Sequence, residues 1–363
     1  MKIMTGIDLH SNNAVCGLVD MEGRRLLHKK LPCNPTKIVQ TLAPYKEQID
    51  TIAVESTFNW YWLVDGLQDH GYKVVLANPA KMDQYDGLKH ADDTSDVFFM
   101  AEMPRLGILP CGNIYDRKTC PVRDLLRRRL GLVHKRSSLD ISFKSLYTRT
   151  TGEQMSLARL KTLKPEEAAK LFKHPCDQLI AREMIELIER LKQSISLIEK
   201  TVLETASQGS YYHKLQSIPG IGKILGLTIT METGDVGRFS DAGNFASYGR
   251  CVRSQRISNN KKKGKNNDKC GNKFLAWAFV EAANFARRFD PQCRRFYDRK
   301  KAQVNNILAT KALACKLAKA AWHIMGSGQD FNPALAFGSG GKEKALAEPS
   351  AEPGKGSGEK PLD

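Results

Sequence analysis

The order of apolar runs in the first 77 residues constrains this chain most. Lys2–Leu9 reads as a strand, Asn13–Asp20 as a second, and Arg24–Leu31 as a third, entered through the turn Met21-Glu22-Gly23. Turn residues separate these aliphatic and β-branched runs. Links this short join antiparallel neighbours, so the three strands form a meander. Thr36–Tyr45 then has helical spacing, and Thr51–Glu55 (TIAVE) is a short apolar strand. Phe58–His70 is helical up to Gly71, and Lys73–Ala77 (KVVLA) is a strand closed by Asn78-Pro79.

Meander, helix, strand, helix, strand is the order of a ribonuclease-H-like α/β fold, in which the first and fourth strands are neighbours. A helix-rich stretch follows, from about Ala91 to Thr150, with the basic residues Arg123, Arg127, Arg128, Arg129, Lys135 and Arg136. Asp177–Thr205 reads as a long amphipathic helix with Ile180, Met184, Leu187, Leu191, Ile198 and Val202 on one seam and Ser194 as its polar break. That alternation of three and four fits a short coiled coil or one arm of an intramolecular helical hairpin. The expected organisation is an α/β domain over 1–150, a helical connector with a coiled-coil-like helix over 151–209, a mostly α domain over 210–325, and a Gly-, Ser- and Pro-rich disordered tail over 326–363.

Composition narrows the function. Lys+Arg number 56 against 39 Asp+Glu, a formal charge of +17, which points to a polyanion and above all to nucleic acid. No apolar run is long enough to span a membrane, and the N-terminus lacks the apolar stretch of a signal peptide. Nine scattered cysteines without a CxxC pair suggest reduced thiols in a cytoplasmic protein.

Four acids stand out. Asp8 lies near the end of the first strand (TGIDLHS) and Glu55 ends the fourth (AVEST). Asp93 and Asp96 are three apart in HADDTSDVFFMAEM, on one face of a helix, with Asp92 an alternative to Asp93 as a ligand. An isolated acid is ordinarily a solvated residue or a cap. Converging carboxylates, by contrast, need a cation to remain ionised, and Mg2+ is a hard ion suited to oxygen ligands and phosphodiester chemistry.

In the second domain, Ile218–Gly222 (IPGIG) reads as a helix-hairpin-helix-like turn, or as an ordinary connecting turn. As the former, Gly220 and Gly222 would offer backbone N–H groups to a phosphate. From Arg250 to Lys319 there are 19 Lys+Arg and 4 Asp+Glu. Arg250, Arg253, Arg256, Lys261, Lys262 and Lys263 crowd an Asn- and Gly-rich loop suited to phosphate backbones. Ser254 and Ser258 lie among the arginines, where a guanidinium could stabilise charge on an attacked phosphorus.

With these residues in place, Met1–Met325 resembles the DEDD-type insertion-sequence transposases, a family with a RuvC-like N-terminal domain and a separate C-terminal transposase domain. The resemblance rests on Asp8, Glu55, and Asp93 and Asp96 within DDTSDVFFMAEM, on the proline-glycine turn IPGIG, and on ETGDVGRF. The loop after it usually reads Gly-Leu-x-Pro, three residues, Ser-Ser-Gly. Here Arg250-Cys251-Val252-Arg253 and Ile257-Ser258-Asn259 stand in those places, and only the second serine is kept, as Ser258. The resemblance implies a recombinase with DNA as donor and target, guided by a structured RNA encoded beside its gene, in which the four acids and a covalent phosphoserine at Ser258 act together. Because recombination joins four DNA ends, the expected state is a homo-oligomer, dimer or tetramer.

Three other readings compete. One is a Mg2+-dependent RuvC-like junction nuclease without covalent serine chemistry. Another is an actin-like kinase, which lacks support because no second glycine-rich phosphate loop follows GIDLHSNNAV. The third is a non-catalytic nucleic-acid-binding protein with the acids on its surface.

Overall fold

The computed structural model describes residues 2–82, 93–205, 211–252, 255–258, 261–265 and 270–338, with backbone alone at 93, 255–258 and 261–265. Residues 339–363 of the expected tail lie outside this set. The N-terminal part is built from β1 (Ile3–Leu9), β2 (Asn13–Asp20), β3 (Arg25–Pro32), α1 (Pro35–Leu42), β4 (Ile49–Glu55), α2 (Tyr61–Asp69), β5 (Val74–Ala77), α3 (Pro79–Met82), α4 (Asp93–Arg105) and β6 (Cys111–Gly112). Its six strands run in the order β3-β2-β1-β4-β5-β6, with β1–β3 an antiparallel meander and β1, β4 and β5 parallel. The expected neighbours β1 and β4 are paired, with Ile7 opposite Val54.

Alternation along the strands divides the sheet into two buried faces. Ile3, Ile7, Ile52 and Val54 pack with Ile38, Leu42, Leu63 and Leu67 under α1 and α2. The other face is closed by α4, through Val97, Phe98 and Ala101 on Met4, Val15 and Val19, and through Met100 on Ala53 and Ala77. Two glycines opposite each other in the β1–β2 ladder, Gly6 and Gly17, make this contact possible. A Cβ on Gly6 would collide with the Val97 carbonyl and come within 2.9 Å of the Ala101 nitrogen, and one on Gly17 would meet Val97 at 3.0 Å. The backbone of α4 therefore lies directly on the sheet.

The remainder is helical. A 32-residue helix, α5 (Cys120–Thr151), precedes α6 (Leu157–Thr162), α7 (Pro165–Ala169) and the 31-residue α8 (Pro175–Thr205). Gly152, in the left-handed conformation, ends α5. The chain then reverses, and Phe143, Leu146 and Tyr147 pack with Ala181, Ile185 and Ile188. The connector is thus an intramolecular hairpin. Of the expected seam, Met184, Ile198 and Val202 face inward, whereas Ile180 and Leu187 are exposed. The buried stripe is Ala181, Ile185, Ile188, Ile195 and Val202.

The C-terminal part contains α9 (Tyr212–Leu215), α10 (Lys223–Thr233), α11 (Ala242–Tyr248), a ribbon of β7 (Gln255–Ser258) and β8 (Lys261–Lys265), α12 (Lys273–Phe289), α13 (Pro291–Lys301), α14 (Asn306–Ser327) and α15 (Pro333–Phe337). Most of its core is one cluster including Ile218, Phe245, Phe279, Ala282, Leu313 and Leu317, while Tyr212, Leu227 and Met231 pack instead against Val122 and Leu126 of α5 and Val202 of α8. Small residues on α12 and α14, such as Ala278, Ala282, Ala314 and Ala318, allow these helices to approach closely. Among the described residues no helix is long and apolar enough to cross a membrane. All nine cysteines are free thiols.

Candidate functional site

Asp8 lies two residues beyond Gly6 in β1, and Glu55 two beyond Ala53 in β4. Gly6 and Ala53 both face α4, so strand alternation turns Asp8 and Glu55 to that same side. Because Ile7 pairs with Val54, the two carboxylates follow side by side at the C-terminal ends of parallel strands. The direction of α4 is set by its far end, where Arg105 donates from Nη1 to the Met21 carbonyl at 3.1 Å, beside the β2–β3 turn. That turn lies at the N-terminal end of β1, so α4 runs opposite to β1 and starts at the Asp8–Glu55 end. Asp96 lies one turn before Met100, whose side chain covers Ala53 and Ala77, and Asp93 opens the helix. One end and one face of the sheet thus collect the four acid-bearing positions.

Asp8 is buried, with 5% of its surface exposed, and its Oδ2 lies 3.3 Å from His10 Nε2. Sequence reasoning missed His10; its signal was the spacing Asp-x-His at a strand end. The backbone carbonyl of His10 accepts from Asn59 Nδ2 at 3.0 Å and so ties the β1 exit to the segment before α2. Among the described residues, which do not include the side chain of Asp93, no three His, Cys, Asp or Glu side chains lie close enough together to hold a metal. The donor chemistry of the acid end, carboxylate oxygens with one of them deeply buried, fits a hard divalent cation.

The serine-bearing loop forms a ribbon. Ser258 pairs with Lys261, Ile257 with Lys262 and Arg256 with Gly264, so Ser258 is the last residue of β7 and faces the first residue of β8. The positions Arg253 and Ser254 lie outside the described residues, and Arg256, Ser258 and Lys261–Lys263 are described by backbone alone. The root of the ribbon is tightly built. Arg250 is the one non-glycine residue with positive φ (52°) among the described residues, and its Nη2 donates to the Gly271 carbonyl at 3.0 Å. Gly271 has φ +87°, and a Cβ there would stand 2.6 Å from the Tyr248 carbonyl. The Cys270 thiol lies 3.6 Å from the Ala80 carbonyl in α3, just beyond the C-terminal end of β5. The ribbon is therefore rooted at the acid-bearing end of the sheet.

A buried ionic network ties this root to the N-terminal part. Glu232, near the end of α10, accepts from Arg123 Nε at 3.0 Å, from Arg127 Nε at 2.5 Å and Nη2 at 2.8 Å, and from Asn272 Nδ2 at 2.7 Å. Asn272 also caps α12 through Phe274 N and Leu275 N. Burial pushes the Glu232 carboxyl up, but the Arg127 hydrogen bond and the two guanidinium charges outweigh it and hold the group below its ordinary range. Arg123 also donates to Tyr61 of α2 at 3.2 Å, and Tyr115 donates to the Glu232 carbonyl at 2.9 Å. Part of the expected basic surface is consequently internal: Arg123 and Arg127 neutralise Glu232, and Arg129 pairs with Glu199 at 2.6 Å.

The two glycines of IPGIG differ in role. Gly220 (φ +84°) abuts α12, where a Cβ would collide with the Ala282 carbonyl and meet Ala286 N at 2.8 Å, so packing alone requires glycine. Gly222 has open space around its α-carbon and is the N-cap of α10.

Two family models match separate stretches of the chain. Residues 5–151 match a transposase model of the DEDD, IS110 type, and residues 212–298 match the model for transposases of the IS116/IS110/IS902 family. The chain is also similar to the insertion element IS116 uncharacterized 44.8 kDa protein of Streptomyces clavuligerus, at 26% identity over 162 residues, 44% of this chain and 39% of the relative. The match thus spans about two fifths of that relative's length. The first matched stretch holds all four acids, and the second holds Glu232, Ser258 and the ribbon.

Proposed function

We propose that this chain is a transposase of the IS110/IS116/IS902 family, whose models match two of its stretches, and that it cleaves and rejoins DNA with two sets of residues that meet at one end of its sheet. The observation that carries the reading is the convergence of Asp8, Glu55 and the start of α4 on one face, with the Cys270–Ala80 contact rooting the Ser258 ribbon beside it.

In this reading the N-terminal part is a ribonuclease-H-like, RuvC-like domain over about 1–150, followed by the helical connector, and the part from about 210 is the serine domain. Asp8, Glu55, Asp93 and Asp96 hold Mg2+, which when bound supplies Lewis-acid stabilisation of a phosphodiester oxygen. His10 orients the Asp8 carboxylate. The Ser258 hydroxyl attacks a DNA phosphorus, losing its proton; the deoxyribose oxygen leaves and takes up a proton, and a phosphoserine ester remains. The hydroxyl of a second strand then displaces serine, so the phosphodiester bond is exchanged rather than hydrolysed. Arg250, Arg253, Arg256, Lys261, Lys262 and Lys263 hold phosphates along the ribbon, with Gly222 at the start of α10. A structured guide RNA and a homo-oligomer complete the active assembly; the exposed Ile180 and Leu187 of α8 are available for contacts between copies.

The test is a labelled DNA substrate on denaturing gels. Asp8→Ala is expected to abolish cleavage while binding survives, since the acids act as one unit. Ser258→Ala is expected to abolish both the protein–DNA adduct and the recombinant product, with Ser254→Ala far milder. An adduct persisting in Ser258→Ala would falsify the serine assignment. Intact cleavage with no adduct in the unaltered protein would make the chain a junction nuclease without covalent chemistry.

A further inference from the structure

A second charged surface lies on helices that the acid–serine chemistry does not use. The end of α12, the length of α13 and the start of α14 enclose an open cavity of about 500 Å³, lined by Arg287, Arg288, Arg294, Tyr297, Lys301 and Asn306. From Arg287 to Lys301 the sequence carries seven Lys+Arg and two Asp. One of those acids, Asp290, is engaged in capping α13 through Cys293 N at 2.7 Å. The other, Asp298, also lines the cavity and lies 3.8 Å from Arg294, both side chains being exposed. Among the described residues, Arg287, Arg288 and Lys301 make no ion pair with an acid. The Arg287 guanidinium lies 4.7 Å above the Tyr297 ring, which holds the charge in place without neutralising it.

Beside this cavity the helix exposes aromatic surface. Phe289 is 78% exposed and Phe285 43%, and their rings are stacked at 6.5 Å with 13° between planes. Phe285, Arg288 and Phe289 are spaced i, i+3 and i+4, so the ring pair and a cavity-lining arginine share one helix face. An exposed stack of two rings beside unneutralised guanidinium groups is costly to leave in water and serves no core. The combination matches what an unpaired nucleotide offers, a phosphate charge and a free base face. A duplex would present the phosphates but keep its bases stacked.

We infer that the α12–α13–α14 corner is a binding site for single-stranded nucleic acid, in which Arg287, Arg288, Arg294 and Lys301 hold backbone phosphates and an unstacked base lies on Phe289. This rests on the nucleic-acid reading above but not on the cleavage chemistry. It adds a second contact to the ribbon and suits a loop or displaced strand rather than a paired segment.

The test is fluorescence anisotropy with a labelled 15-nucleotide single strand, as RNA and as DNA, and with the corresponding DNA duplex. It is run on full-length Asp8→Ala protein without divalent metal, so that cleavage plays no part and a failure of the chemical reading leaves the result interpretable. Phe289→Ala is expected to weaken single-strand binding roughly 5- to 150-fold, the range for one lost base stack. Phe289→Tyr keeps the ring and is expected to retain binding, and Phe289 is exposed enough for the fold to stand in both variants. Combining Arg288→Ala, Arg294→Ala and Lys301→Ala is expected to flatten the log-affinity against log-salt slope on single strands by about 2. RNA binding more tightly than DNA, or DNA more tightly than RNA, supports the site and identifies its source, and the two binding alike supports a site that reads phosphate and base face without regard to the sugar. Wild-type binding and slope in both variants overturn the proposal, as does a Phe289→Ala loss equal on single strand and duplex.

Discussion

Glu232 shows how one residue decides the packing of two regions. Its carboxylate is buried among Arg123, Arg127 and Asn272, and its proton affinity is lower in the folded chain than in the unfolded one. The unfolded state therefore takes up the proton first as pH falls. The stabilisation is complete above the ordinary value of 4.5 and disappears as pH drops through the lowered folded value. Urea unfolding between about pH 3 and 7 is expected to show a smaller loss for Glu232→Gln than for the native chain, the remainder coming from other carboxylates held low by their partners, such as Asp20 and Asp50. At neutral pH that variant leaves Arg123 buried without its partner, and is expected to cost about 3–5 kcal/mol. Gly6 is the corresponding backbone case. Gly6→Ala places a methyl group against the backbone of α4, and is expected to destabilise by about 1–3 kcal/mol and to shift Asp96, so that cleavage falls more than the melting temperature suggests.

At the scale of elements, the strands were legible because each carries its own pattern and its own turn. The three meander strands, β4 and β5 lie within two residues of their expected bounds, and the Asp8 and Glu55 positions follow from strand ends alone. The connector was legible as a helix but not in its rotation. Both the Ile180–Leu187 stripe and the Ala181–Ile185–Ile188 stripe are apolar, and only the position of α5 decides which is buried. Ile188→Ala is accordingly expected to cost about 2–5 kcal/mol in denaturant melts. Ile180→Asp with Leu187→Asp is expected to leave the hairpin folded, and to dissociate the assembly in light scattering if copies meet on this face. The ribbon was read as a loop because Lys261–Lys265 (KKKGK) has little strand propensity; its pairing with Gln255–Ser258 is what makes it a strand. The internal use of Arg123 was hidden by distance, since its partner lies 109 positions away.

At the scale of the molecule, the +17 charge is reduced where it is internal and concentrated where it is free. Replacing Lys261, Lys262 and Lys263 by Ala is expected to flatten the salt slope by about 0.9 per lost contact on duplex DNA, and by about 0.7 on a single strand. Titration of binding against salt separates this ribbon from the α12–α13–α14 corner, whose contribution depends on a ring as well as on charge. The helix α5 joins these surfaces to the hairpin. Its first turns carry Arg123 and Arg127, and its last turns carry Phe143 and Tyr147 against α8. At 32 residues it is a rod about 48 Å long, continuous to its glycine stop. Such a rod transmits torsion. One alanine inserted near Lys135 turns everything beyond it by about 100° relative to the Glu232 anchor, and because α8 packs on α5 on both sides of that point, through Ile185 and Ile188 beyond it and through Glu199 and Val202 before it, the two sets of contacts can no longer both be kept. The expected product is a protein that melts at a lower temperature yet still binds nucleic acid through its C-terminal part, and in which the phase between hairpin and ribbon is lost, so that any assembly built on the hairpin presents its chemistry in the wrong direction.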